Sequence, residues 1–194
     1  MESGKQALTE KMVMWESLAE ETYLPAWDAL PDFGLYMDQV VTLLEQYLHF
    51  LPSDKDEHIV SASAINNYVR LKIMPAPVKR KYYRVHLAYL LMILPMKQTV
   101  GIADISRILP PEADSDAIRA AYESYTAQFR KTAQYFNEQI HALAEQVESE
   151  ESGKDTVNRL ALESILLSSF ARILSGQLIP PPPPAEKKGK EEKN

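Results

Sequence analysis

Residues 61–84 read SASAINNYVRLKIMPAPVKRKYYR, and the two halves of this stretch obey different rules. The first half is helical. Ser61 or Ser63 can cap it; Ala62, Ile65 and Val69 then form one stripe, expected to face a core. Ser63, Asn66, Asn67 and Arg70 form the opposite stripe at i, i+3, i+4 and i+7. The second half contains Pro75 and Pro77, which exclude regular helix and leave either a short extended hairpin or a basic loop over 75–82. Two adjacent asparagines in mid-helix lower helix propensity, so packing economy does not account for Asn66 and Asn67. Asn carboxamides bond adenine edges through two hydrogen bonds, and Ser and Arg contact bases or phosphates. Lys72, Lys79, Arg80, Lys81, Tyr83 and Arg84 follow, a mixture of cations and aromatic rings suited to phosphate contact. A solvated polar face followed by a solubilising loop would have the same composition.

Charge is distributed unevenly around this stretch. The chain of 194 residues carries a formal net charge of -6, yet residues 59–103 contain no Asp or Glu. They hold seven cations: Arg70, Lys72, Lys79, Arg80, Lys81, Arg84 and Lys97. All 27 acids lie elsewhere with the other 14 cations, so the remainder carries -13. A local anion-binding face on an acidic body is the physical implication.

Helical periodicity extends both ways. Residues 5–21 place Met12, Trp15 and Leu18 or Ala19 on one face, and 22–35 form a loop with Pro25, Pro31 and Gly34, which Trp27 and Phe33 would pin to the core. Residues 36–50 repeat apolar positions at 3 and 4 spacing. Residues 52–58 form a polar loop. Helix resumes over 85–98, with a kink expected at Pro95, and again briefly over 102–109 before Pro110 and Pro111. From Ser115 to about Glu150 no Pro or Gly interrupts the chain. Its apolar positions, Ile118, Tyr122, Tyr125, Phe129, Ala133, Phe136, Ile140, Leu143 and Val147, make a coiled-coil seam with one four-residue insertion. A last helix, 155–176, is apolar on more than one face and expects neighbours on both sides. Pro180 to Pro184 should be extended, and the charged tail after it disordered.

Reaction chemistry finds little footing. Cysteine is absent, which excludes disulfides, thiol catalysis and Cys-based metal sites. His49, His58, His86 and His141 are dispersed without metal-ligand spacing; His86, opening a helix beside the basic cluster, reads as surface polar or as a phosphate contact. With only 6 glycines there is no phosphate-cradling loop and no nucleophile elbow. Neither an enzyme nor a cofactor is expected. The first twenty residues carry charges throughout and no apolar run spans a bilayer, so a soluble cytoplasmic protein is expected.

The order INNYVRLKIMP, a basic linker, HLAYLLMI and then VGIADISRIL resembles the MerR-type winged helix-turn-helix. Ile65 matches that family's buried leucine, Tyr68 its second tyrosine, Arg70 the following basic residue and Pro75 the proline ending the helix. Tyr82 matches the tyrosine closing the wing, and Leu87 the leucine opening the next helix. Asn66 and Asn67 stand where the family has Arg and Tyr, and Val78, Lys79 and Arg80 replace its wing glycine and aromatic. LPDFGLYMDQV, INNYV and KRKYYRVHLAYLL are similar to an uncharacterised bacterial family, domain of unknown function 1836, which implies a MerR-like helical domain without an assigned activity.

The resemblances imply an all-α fold: a MerR-like helix-turn-helix domain with a small basic wing, a long coiled-coil helix and a packed C-terminal helix. The expected divisions are an N-terminal helix and loop (1–35), the DNA-binding domain (36–110), a helical dimerisation region (111–178) and a Pro-rich charged tail (179–194). The expected function is that of a dimeric DNA-binding transcriptional regulator. Ser63, Asn66, Asn67 and Arg70 would face bases; Lys72, Lys79, Arg80, Lys81, Tyr83 and Arg84 would hold phosphates. Segments 115–150 and 155–176 would form the homodimer. The rival is a helical protein-interaction module that does not bind DNA. Nothing in the sequence identifies a small-molecule effector.

Overall fold

Residues 84–96 form the buried centre of the fold. The run HLAYLLMIL lacks charge, and every residue from His86 to Leu94 is buried in the helix Arg84–Met96 (α3). A helix apolar on all sides must be enclosed by others, and each large side chain it buries contributes about 2 kcal/mol. The computed structural model describes residues 22–51, 58–109, 114–149 and 154–181. The expected helix at 5–21, most of the polar loop 52–58 and the tail from 182 lie outside the described residues.

The fold is all-α, with six helices and no strand among the described residues. Besides α3 these are α1 (Met37–Tyr47), α2 (Ala62–Arg70), α4 (Ile102–Ile108), α5 (Ser115–Ser149) and α6 (Lys154–Leu178). A single 3-10 turn, Trp27–Ala29, precedes α1. α3 packs against α1 and α5, α1 against α2, and α5 against the 3-10 turn. Pro95, the expected kink in a helix reaching 98, lies in the last turn of α3, and the helix ends at Met96. There the missing proline N–H removes only one bond of the final turn.

The N-terminal loop closes over α5. Trp27 is buried beside Tyr122, with ring centroids 6.1 Å apart, and the Tyr122 hydroxyl donates to the Pro25 carbonyl at 2.7 Å. Burial pushes the Tyr122 and Tyr125 hydroxyls well above the usual phenol range. Phe33, expected to help pin this loop, is instead 62% exposed. Phe50, after α1, meets Phe129 of α5 at 5.6 Å.

These contacts correct the reading of the seam. Its first half, Ile118 to Phe129, is covered by α3, the 22–30 loop and Phe50 of the same chain. A division at 110/111 therefore does not separate two units of packing. Further along α5, Tyr135 and Phe136 are exposed, and the side chains of Ile140, Leu143 and Val147 lie outside the described residues. Nor is α6 packed against the body among the described residues. None of its described side chains is buried, and Leu162, Ile165, Leu167, Phe170, Ile173 and Leu174 are each more than half exposed. With its proximal half already covered, the seam has no room there for a returning α6.

Candidate nucleic-acid interface

α2 is a nine-residue helix with one wet face. Ser61 caps it: its Oγ accepts from the Ala64 N–H at 3.2 Å. Ser63 is exposed, with its hydroxyl 2.9 Å from that of Ser61. The core stripe is Ile65 and Tyr68 with half-buried Val69; Ala62, assigned to it from spacing, is exposed. Asn66 and Arg70 are exposed and Asn67 is half-buried. The Arg70 guanidinium donates to the Asn67 Oδ1 at 2.6 Å. That bond fixes the carboxamide orientation, because a guanidinium only donates and needs an oxygen facing it.

The end of α2 carries the first of three unusual backbone conformations. The Ile73 N–H reaches back to the Tyr68 carbonyl and the Lys72 N–H to that of Val69, both at 3.0 Å. This double closure puts the residue after the C-cap in the left-handed region, where glycine is usual. Here it is Lys72, at φ 56°.

The second and third follow in the basic segment, which is a tight hairpin and not an irregular loop. The Val78 N–H donates to the Lys81 carbonyl at 3.0 Å and the Lys81 N–H to that of Val78 at 2.9 Å. Lys79 and Arg80, the two residues between, have φ of 50° and 64°. Two left-handed central residues define the hairpin turn that Asn-Gly favours. Lys-Arg gives no such signal, so the sequence left hairpin and loop as equals. Among the described residues, these two and Lys72 are the non-glycine residues with positive φ.

The hairpin is clamped to the body from both sides. Leu35 and Tyr82 exchange backbone hydrogen bonds of 2.8 Å each. Gly34 permits this approach: a Cβ there would lie 2.9 Å from the Cβ of Lys81 and 3.0 Å from Cζ of Tyr83. Lys81 lies half-buried over the Tyr36 ring, its Nζ 5.4 Å from the centroid. On the other side is His86, which is 4% exposed and not the surface residue or phosphate contact expected. Its Nδ1 accepts the Tyr83 N–H at 2.9 Å, and its Nε2 lies 3.1 Å from the Ala76 carbonyl. Those partners specify a neutral ring protonated at Nε2. Burial lowers the pKa of the imidazole, with the Ala76 carbonyl acting in the opposite sense.

Two groups of cations bear on this face. Arg84, Arg107 and Arg119 each pair with a carboxylate: Asp28, Asp104, and Asp28 with Glu123. Among the described residues, Arg70, Lys72, Lys79, Arg80 and Lys81 pair with none. Arg84, grouped by sequence with the phosphate contacts, is held by the fold. Its Nε donates to the Leu30 carbonyl at 3.0 Å and its guanidinium lies 5.9 Å from the Trp27 ring centre. Tyr83 is half-buried with its ring 6.3 Å from that of His86.

No three His, Cys, Asp or Glu side chains come together to hold a metal among the described residues. A shallow hollow of about 340 Å³ beside α1 is lined by Pro31, Phe33, Leu35, Asp38, Gln39, Thr42, Leu43 and Gln46. Its single ionisable group, Asp38, has no acid or base opposite it. Among the described residues no helix is long and apolar enough to cross a membrane.

The fold defined by these elements is a small helical body bearing a cationic helix end and a cationic hairpin. Residues 25–125, just over half of the chain, match the family described as Domain of unknown function (DUF1836), and the chain belongs to that family. The matched segment ends inside the half of α5 that packs on the body. No curated protein and no solved structure matches the chain.

Proposed function

We propose that the protein is a dimeric DNA-binding protein of the transcriptional-regulator class, with α2 in the major groove and the 78–81 hairpin on the phosphate backbone. One observation carries this reading: the three non-glycine residues held in left-handed backbone are all cations of the same unpaired cluster. Left-handed backbone costs a non-glycine residue roughly 1–2 kcal/mol. Retaining Lys72, Lys79 and Arg80 where Gly or Asn would fold more easily is accounted for if their side chains serve a ligand, and strain of this kind gathers at functional sites. The ligand must be polyanionic. The order of helix, basic hairpin and helix is also what the MerR-type resemblance implies.

Dimerisation is supported by the apolar surface of α6, where Ile165 and Phe170 are 62% and 67% exposed. A patch of such residues marks a surface that another molecule covers. A second copy also supplies the two-fold symmetry with which paired half-sites are read. The chain mass of 22.0 kDa should double in sedimentation equilibrium at micromolar concentration, and Leu166→Glu with Phe170→Glu should return it to one copy. Phe129→Glu is unsuitable for this test, because Phe129 packs within the body of its own chain.

The test of the DNA reading is affinity for duplexes against salt. With about 4 to 5 phosphate contacts per protomer, log affinity should fall with log salt at a slope near -4 per protomer. Alanine at Lys79, Arg80 and Lys81 together should weaken all duplexes alike. Indifference to salt and to the triple change overturns the assignment and leaves the helical interaction module as the better account.

A further inference from the structure

Resting on the DNA reading above, we infer that the two asparagines of α2 have different roles: Asn66 reads an adenine, and Asn67 positions Arg70 to read a guanine. Arg70 Nη2 donates to Asn67 Oδ1 at 2.6 Å across one helical turn. A carboxamide recognises adenine by accepting from the N6 amino group through its oxygen while donating to N7 through its nitrogen. In Asn67 that oxygen already bears a guanidinium, and the side chain is half-buried. Its acceptor faces Arg70, one turn along the helix.

The same bond prepares Arg70. A free arginine side chain samples many rotamers, and ordering it opposes binding. One nitrogen held by Asn67 leaves the guanidinium with its remaining N–H groups to donate as a pair, and two parallel donors match the O6 and N7 acceptors of guanine. No carboxylate among the described residues competes for Arg70.

Asn66 has neither restriction. It is exposed, one turn before Arg70, with both carboxamide groups available among the described residues. Asn66 and Arg70 lie about 6 Å apart along the helix, so they address different base pairs. The preferred half-site therefore contains one adenine and one guanine, at separate positions, read from the same helix face.

The experiment is selection of duplexes from a random library by the full chain at low salt, repeated with Asn66→Ala, Asn67→Ala, Asn67→Asp and Arg70→Ala. Melting temperatures should match the unchanged protein, because these side chains lie outside the core. Arg70→Ala and Asn67→Ala should relax the same guanine, by about tenfold or more in discrimination. Their combination should do no more than Arg70→Ala alone. Asn67→Asp retains an oxygen facing Arg70, so it should keep the guanine preference while lowering affinity for every duplex through its charge. A purely structural role for Asn67 would not separate these effects. Asn66→Ala should relax an adenine elsewhere in the site. Enrichment of a site in which Asn67→Ala frees an adenine of its own, or changes no position, overturns the division of roles and leaves the DNA reading standing. Enrichment of no duplex at all overturns both.

Discussion

Arg84 and Arg80 lie four residues apart in one basic run and have opposite fates. Arg84 reaches inward to the Leu30 carbonyl, the Trp27 ring and Asp28. Arg80 stands exposed at a two-residue turn, in a backbone conformation that its side chain disfavours, with no carboxylate partner among the described residues. Carboxylates of the body pair with Arg84, Arg107 and Arg119, whereas among the described residues none pairs with the cations of the α2 end and hairpin. Composition alone does not distinguish the two groups; their surroundings do. The inward group should therefore govern stability and the outward group affinity for a polyanion.

The largest effect expected on the inward side is at Tyr122. Replacing it with Ala removes a buried ring packed on Trp27 and the bond to Pro25, and should destabilise the fold by about 3–5 kcal/mol in chemical denaturation. Next comes Gly34. A methyl group there meets Lys81 and Tyr83 at about van der Waals overlap, so Gly34→Ala should cost about 1–3 kcal/mol. It should also displace the hairpin, lowering affinity for duplex DNA beyond what lost stability explains. Arg84→Ala should cost about 1–2 kcal/mol through the Leu30 hydrogen bond and the contact with Trp27. Affinity for DNA measured well below the melting temperature should stay unchanged. A selective loss of DNA affinity in Arg84→Ala would return it to the phosphate-contacting group and break the comparison.

Smaller effects concern the clamp. His86 is buried neutral, and its pKa is lowered from the ordinary 6.5. Its contribution is therefore complete above about 6.5 and is lost as pH falls from there through the lowered folded value. The melting temperature should decline over that window more steeply than in His86→Gln, whose side chain does not titrate. Smallest of all, the Tyr68 hydroxyl is buried without a hydrogen-bond partner among the described residues. Tyr68→Phe should be neutral or stabilising by about 1 kcal/mol.

Much of this was legible in the sequence, for identifiable reasons. The 3.6-residue period fixes α1 and α5 to within a few residues at their ends, because each repeats apolar positions at 3 and 4 spacing over several turns, and α6 is bounded by Gly153 and the proline run from Pro180. The acid-free stretch 59–103 marks the cationic surface by composition alone. What the sequence could not disclose depends on distant partners. Arg84 bonds a carbonyl 54 residues away, and His86 bonds two backbone groups that local pattern does not identify. Periodicity likewise announces that the face from Ile118 to Phe129 is apolar without saying what covers it. The answer is the body of the same chain, and exposed apolar side chains lie further along α5, at Tyr135 and Phe136, and on α6. Within α2, spacing put both asparagines on the wet face, but the Asn67–Arg70 bond depends on rotamers that spacing does not determine.

On the proposed reading, Lys79 and Arg80 serve a ligand at the expense of the turn they occupy. Replacing them together, Lys79→Asn with Arg80→Gly, gives the hairpin the residues its backbone prefers and removes both charges. Thermal or denaturant unfolding and duplex binding are then measured on the same preparation. Stability should rise by about 1–2 kcal/mol while affinity for duplex DNA falls by about tenfold or more. A protein that is less stable and binds duplexes as before would contradict the account.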